Sequence, residues 1–311
     1  MEAAVAMSPG ACTLCRGRGY QISASADRAT ARVCSCMATC IHCSGQGYVL
    51  SEREEVFSQK VGPRRYQAAA PCVCRVLRSR VGAFNQVGVP GVLARAGFDN
   101  YLPFHESHDA AKQAATRFAS GYRRGAPTRG FIISGPVGSG KTHLLAAALG
   151  HLVLEVGIQA RYREISLLFA DIRRGFQEGK SGGEIIRPLS EVDVLAIDEL
   201  GRGRGSPFEL ETLDELIARR YNAGRTTLFA TNYSLEPERK ARPHARAGYR
   251  STEEASEPRD LELLRDRVGE RIYSRLCEMC EFVSLPPETP DHRRTRQELH
   301  PRVGKARAVG R

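Results

Sequence analysis

An eight-residue segment, Gly135-Pro136-Val137-Gly138-Ser139-Gly140-Lys141-Thr142, constrains this chain more than any other. It fits G-x-x-x-x-G-K-[ST], and it sits between the apolar run Phe131-Ile132-Ile133 and an Ala/Leu-rich stretch from His143 to Val156. The order is therefore strand, glycine-rich loop, helix. Glycines let the loop turn tightly with backbone N–H groups facing a phosphate, and the helix start adds partial positive charge. Lys141 is placed to reach β- and γ-phosphates, and the Thr142 hydroxyl to ligate Mg²⁺. ATP with Mg²⁺ is the expected ligand.

The pattern around this loop sets the fold class. Strand-like runs at Gln159–Arg163, Val192–Ile197 and Thr226–Ala230 alternate with helical ones at Ser166–Phe176 and Phe208–Tyr221. Such alternation predicts an α/β fold, a mostly parallel sheet with helices on both faces. Two of the strands end in polar residues. Val194-Leu195-Ala196-Ile197 runs into Asp198 and Glu199. Asp198 is placed to hold Mg²⁺, directly or through water, and Glu199 to act as general base toward the attacking water. Leu228-Phe229-Ala230-Thr231 runs into Asn232, which is placed to orient water or touch the γ-phosphate; a turn cap is the plain alternative.

At this point the residues resemble a known family. The run from about Val89 to Leu285 is similar to the AAA+ ATPases of the DnaC and IstB group. The resemblance lies in the phosphate loop, Ile197-Asp198-Glu199-Leu200-Gly201, the Ile217–Arg225 segment ahead of Thr226–Asn232, Phe98-Asp99-Asn100-Tyr101, and Val268–Leu276 with its Arg271 and Arg275. It implies Asn232 as sensor 1 and Arg275 as a trans-acting arginine finger, with Arg271 the next candidate. Without the family, Arg271 and Arg275 read as one exposed helix face, four residues apart. Pro290-Asp291-His292-Arg293-Arg294 is a candidate source of a sensor 2 arginine.

Of ten cysteines, eight lie between Cys12 and Cys74. Cys12-x-x-Cys15-x-Gly17-x-Gly19-Tyr20 repeats as Cys40-x-x-Cys43-x-Gly45-x-Gly47-Tyr48, and each copy is followed by a Cys-x-Cys, Cys34/Cys36 and Cys72/Cys74. Two copies in the same order suggest two closed, structural Cys₄ zinc sites, with His42 a spacer. The motif resembles the cysteine-rich zinc module of DnaJ-type chaperones. Thiol–disulfide chemistry is the rival reading, and no βαβ pattern surrounds the motif to support it. Cys277 and Cys280 are expected to be buried structural cysteines on one helix.

The 311 residues divide as a zinc module over 1–80, a linker and entry helix over 81–128, an ATPase domain over 129–285 and a basic tail over 286–311. A charged, proline-containing insertion over 236–259 is expected to be disordered. An independent zinc module should unfold on metal removal and spare nucleotide binding. The formal charge of +11 fits a nucleic-acid partner, although eight thiolates on two Zn²⁺ would offset part of it. No apolar run approaches the length of a membrane span, and the N-terminus lacks the pattern of a secretory signal, so a cytoplasmic protein is expected. The resemblance implies a helicase loader acting with single-stranded DNA and a replicative helicase, and a homo-oligomer when ATP-bound. A transposition helper working with a transposase is the alternative within the group. A zinc-stabilised, chaperone-like adaptor switched by nucleotide is the alternative outside it.

Overall fold

The computed structural model describes residues 12–38, 40–56, 62–235 and 262–299. The expected disordered insertion and the last part of the expected tail, 300–311, lie outside the described residues. The first described elements are two antiparallel hairpins, β1 (Tyr20–Ser25) with β2 (Arg28–Val33) and β3 (Tyr48–Val56) with β4 (Pro63–Pro71). They lead into helix α1 (Val73–Asn85), which runs across residue 80, and α2 (Glu106–Gly121). Then follow β5 (Gly130–Ser134), α3 (Lys141–His151) with a π-helical extension over Leu152–Val156, β6 (Ala160–Glu164), α4 (Ile165–Gln177), α5 (Gly182–Glu191) and β7 (Val194–Asp198). The series closes with α6 (Pro207–Asn222), β8 (Thr226–Thr231), α7 (Leu264–Val268), α8 (Glu270–Met279), β9 (Cys280–Ser284) and α9 (His292–Leu299).

Five strands form a parallel sheet in the order β6-β7-β8-β5-β9. Every residue of β5, β7 and β8 is buried. That is the signature of interior parallel strands covered on both faces, and it explains their unbroken apolar runs. Successive side chains alternate between two cores. Phe131, Ile133, Ala196 and Leu228 enter the core shared with α1, α2 and α3. Ile132, Leu195, Ile197 and Phe229 enter the core shared with α4, α5, α6 and α8.

A buried arginine locks the second face. Arg220 on α6 is fully enclosed and donates to Thr227 Oγ1 at 2.9 Å and to the carbonyls of Leu189, Val192 and Thr226 at 2.7, 3.0 and 2.5 Å. Burial pulls its pKa down to about 9, yet all these partners are neutral acceptors that favour the cation.

Two expectations are corrected here. Cys277 and Cys280 do not share a helix: α8 ends at Met279 and Cys280 opens β9 beside β5. Cys280 is buried, its Sγ 3.5 Å from Thr227 O, whereas Cys277 is exposed.

Candidate nucleotide site and cysteine tetrads

The phosphate loop leaves β5 in the middle of the sheet and enters α3. Gly138 and Gly140 adopt φ of +83° and +85°. At Gly140 a side chain is excluded twice, because a Cβ there would also meet the Tyr101 ring at 2.6 Å. Lys141 is nearly enclosed and folds back on its own loop, with Nζ donating to Gly135 O at 2.8 Å and Pro136 O at 2.7 Å. Burial lowers its pKa to about 8, against the opposing pull of Asp198 and Glu199.

The carboxyl ends of β7 and β8 face this loop, the usual position for ligands in an open parallel sheet. Asp198 is buried; Oδ2 accepts from Tyr162 Oη at 2.7 Å and Oδ1 from the Glu199 N–H at 2.9 Å. Glu199 takes a left-handed φ of +55°, and its carboxylate pairs with Arg202. Glu164, at the end of β6, has its carboxyl pushed up by burial and then by Glu199. At the end of β8, Thr231 donates to Leu200 O at 2.7 Å, and Asn232 follows, exposed. Lys141, Thr142, Asp198, Glu199, Thr231 and Asn232 line one cleft of about 540 Å³. Pro136 and Ser139 take part through Lys141, Val137, Gly138 and Gly140 line the cleft directly, and Gly135 packs on Leu285.

The opposite wall comes from two segments distant in sequence. Val92, Leu93, Tyr101 and Phe104 supply one part, with Tyr101 Oη donating to Ser139 O at 3.1 Å. The start of α9 supplies the other. His292 N–H donates to Gly138 O at 3.0 Å, Asp291 Oδ1 caps the helix by accepting from Arg293 N–H at 2.7 Å, and Arg293 lines the cleft. The His292 ring lies among Tyr101, Phe104 and His108, and burial drives its pKa down to about 4.

The cleft lining does not include Arg271 or Arg275. Arg275 is 20% exposed and pairs with Asp214 on α6; Arg271, 76% exposed, reaches the same carboxylate at 3.6 Å. Neighbouring residues that the sequence reading passed over are Tyr162, Arg202, Thr231 and Arg267. Arg267 stacks over Tyr233 and donates to Gly201 O and Gly203 O at 3.2 and 2.6 Å, tying α7 to the loop after β7. The alternation Gly201-Arg202-Gly203-Arg204-Gly205 was the available signal for that loop.

Comparison with known proteins fits this geometry. Residues 108–240 match the family of IstB-like ATP binding proteins. The replicative helicase loader DnaC of Escherichia coli K12 is 29% identical over 154 residues, 49% of this chain and 62% of DnaC. A crystal structure of the DnaC helicase loader superposes with a TM-score of 0.51 at 26% identity, over 63% of this chain and 99% of that one. The α/β core thus has the AAA+ fold and is similar to the proteins of the DnaC/IstB group. The uncharacterized protein YdaV of the same E. coli strain is 30% identical over 152 residues, 49% of this chain and 60% of its own length. The DnaI structure, at 19% identity and a TM-score of 0.50, shares the fold. The chain thus spans about three-fifths of the length of the curated relatives it matches. No helix among the described residues is long and apolar enough to cross a membrane.

The family match begins beyond the cysteines, which form two tetrads. Cys12, Cys15, Cys34 and Cys36 make one, and Cys40, Cys43, Cys72 and Cys74 the other, each with its sulfurs within 4.8 Å of one another. The Cys12–Cys34 and Cys15–Cys36 separations are 3.8 and 3.5 Å; those of Cys40–Cys72 and Cys43–Cys74 are 3.6 and 3.5 Å. Tetrahedral zinc with bonds of about 2.3 Å requires an edge of about 3.8 Å, so both tetrads fit the ion. Gly19 and Gly47 donate backbone N–H bonds to Cys15 Sγ and Cys43 Sγ at 3.3 and 3.1 Å, which support thiolates. His42 is exposed and belongs to neither tetrad.

Proposed function

We propose that this chain hydrolyses ATP in the cleft between the phosphate loop and the ends of β7 and β8, and that it acts as a helicase loader on single-stranded DNA. The observation that carries the reading is the placement of Asp198 and Glu199 in one cleft with Lys141 and Thr142. Lys141 leaves Gly135 O and Pro136 O to hold phosphate oxygens, a like-for-like exchange of acceptors. Thr142 and Asp198 are the residues that would hold Mg²⁺, which supplies charge neutralisation at the phosphates. Tyr162 fixes the rotamer of Asp198. Glu199 takes the proton of the attacking water as its oxygen bonds to the γ-phosphorus, the bond to the β-phosphate oxygen breaks, and ADP leaves. Asn232 orients the water. Arg275, or the more exposed Arg271, reaches the nucleotide of a neighbouring copy in an ATP-bound homo-oligomer.

The match to DnaC supports the loader role, with a replicative helicase as partner. The match to IstB-like ATP binding proteins keeps a second reading open, in which the chain serves a transposase. Either way the two tetrads carry zinc as structural ions. The test is ATP turnover with and without single-stranded DNA, followed by loading of purified replicative helicase onto a DNA circle. DNA-stimulated turnover with ATP-dependent loading is expected. Nucleotide binding with no turnover under either condition would favour an adaptor that uses nucleotide only as a switch.

A further inference from the structure

The first cysteine tetrad and the nucleotide cleft are joined by one hairpin. Cys12 and Cys15 precede β1, and Cys34 and Cys36 follow β2, so the tetrad closes the open end of the β1–β2 hairpin. Cys34 N–H also donates to Gly19 O there, at 2.8 Å. The other end of the hairpin, its turn, rests on residues 89–91. Ala29 N–H donates to Val89 O at 2.8 Å, and Gly91 N–H donates to Asp27 O at 2.9 Å. A Cβ on Gly91 would already be in van der Waals contact with Ala26 O, Arg28 N and Arg28 O at 3.4 Å, so a branched side chain there would push against the turn. Ala29 and Ala31 are buried in the same core as Val87 and Val89, and Asn85 bonds both the N–H and the carbonyl of Ala31, at 2.6 and 3.0 Å. The next residues along the chain, Val92 and Leu93, line the cleft. At the hairpin's base, Tyr20 Oη donates to Glu155 Oε1 at 2.9 Å, on the extension of the helix that begins with Lys141.

Among the described residues no hydrogen bond joins the second tetrad's hairpin, β3–β4, to residues 89–91. Its four cysteines form a small cluster of their own with Met37 and Val49, separate from both cores of the ATPase module. Cys72 and Cys74 sit at the first turn of α1, whereas Asn85 is at its last, roughly 16–20 Å away at 1.5 Å per residue.

We propose that the first tetrad, and not the second, is a support of the nucleotide site. A two-stranded hairpin is marginal alone, and metal binding to its ends is folding free energy for the segment. With the metal in place the hairpin presses Val87–Gly91 into position and so sets the wall formed by Val92 and Leu93. Without it that wall loses its backing, and nucleotide affinity falls. The two zinc sites, alike in sequence, thus differ in role, and the expectation that metal removal spares nucleotide binding is reversed for one of them. The proposal rests on the reading of the cleft as the nucleotide site.

The experiment uses the full chain and two readouts, zinc content by elemental analysis and the dissociation constant of a fluorescent ATP analogue. Cys36→Ser should lose one zinc and bind the analogue at least tenfold more weakly. Cys74→Ser should lose one zinc and stay within about twofold of wild type. Gly91→Val keeps all eight thiols and both zinc ions while levering the hairpin off residues 89–91; it should weaken binding several-fold, and it decides the matter if Cys36→Ser does not fold. The proposal is overturned if Cys36→Ser and Gly91→Val bind like wild type, if Cys74→Ser weakens binding as much as Cys36→Ser, or if the wild-type protein carries no zinc. A wild-type chain that binds no nucleotide at all would remove the reading of the cleft together with the proposal.

Discussion

Tyr162, at the middle of the edge strand β6, holds Asp198 at the end of β7 through a 2.7 Å hydrogen bond to Oδ2. The phenol is buried, and burial followed by the Asp198 charge raises its pKa far above the ordinary value, so it remains a donor throughout the working pH range. The aspartate's second oxygen is occupied by the Glu199 N–H, which leaves its rotamer no freedom. Tyr162→Phe should therefore keep the fold and lower turnover roughly tenfold, since a hydrogen bond to a charged group contributes about 1.5 kcal/mol or more. Steady-state kinetics check this; unchanged turnover would mean that Asp198 needs no external positioning.

Glu164, at the carboxyl end of β6, sits beside Glu199 at the end of the neighbouring β7, and burial together with that neighbour raises its pKa. A raised carboxyl binds its proton more tightly folded than unfolded, so its ionisation costs stability once pH exceeds the ordinary carboxylate range. Glu164→Gln should raise the melting temperature at pH 8, and the gain should shrink as pH falls toward 4. Thermal melts of both proteins across that range test the sign. A gain that grows on acidification would contradict it.

Arg220 satisfies carbonyls from α5, the α5–β7 link and β8 at once. Arg220→Met would leave at least three buried acceptors without donors, at about 1–3 kcal/mol each. Urea unfolding should show a loss of about 3 kcal/mol or more with little change in slope. A loss below about 1 kcal/mol would mean that water replaces the guanidinium.

Much of this fold was legible because buried parallel strands have to be apolar. Phe131–Ile133, Val194–Ile197 and Leu228–Ala230 carried the sheet, and the polar residue at each strand end carried the cleft. The repeat of Cys-x-x-Cys followed by Cys-x-Cys likewise pointed to two Cys₄ sites, but it left the pairing of the half-sites open; the fold joins each Cys-x-x-Cys to the next Cys-x-Cys. Helix α5 was missed because Gly182, Gly183 and Pro188 hide it, although Ser181 and Glu184 form a capping box at its start. Strand β9 was missed because Cys277 and Cys280 have helical spacing, and only the pairing of Cys280–Ser284 with β5 decides otherwise. Nothing local places a C-terminal segment over Gly138, so the wall from His292 and Arg293 was signalled only by the family resemblance, through the candidate sensor 2 arginine in Pro290–Arg294. Long-range contacts of that kind leave no periodicity.

Arg275 and Arg271 share Asp214, and the less exposed Arg275 is the better held. If Arg275 acts in trans, Arg275→Ala should cut turnover by ~10³ or more, within the range of arginine fingers, with nucleotide affinity nearly unchanged. Mixing Arg275→Ala with Glu199→Gln should restore part of the activity, because some junctions then pair an intact arginine with an intact glutamate. No recovery in mixtures shown to co-assemble would exclude Arg275, and the same mixture with Arg271→Ala would then test its neighbour.

The central claim is that Glu199 removes a proton from water in the cleft that Lys141 and Asp198 define. Phosphate release by wild type and Glu199→Gln, measured at matched nucleotide occupancy with single-stranded DNA present, tests it most directly. The account predicts equal binding of ATP by both proteins and at least a hundredfold loss of turnover in the variant, in line with general-base catalysis. Turnover by Glu199→Gln within a few-fold of wild type would contradict it.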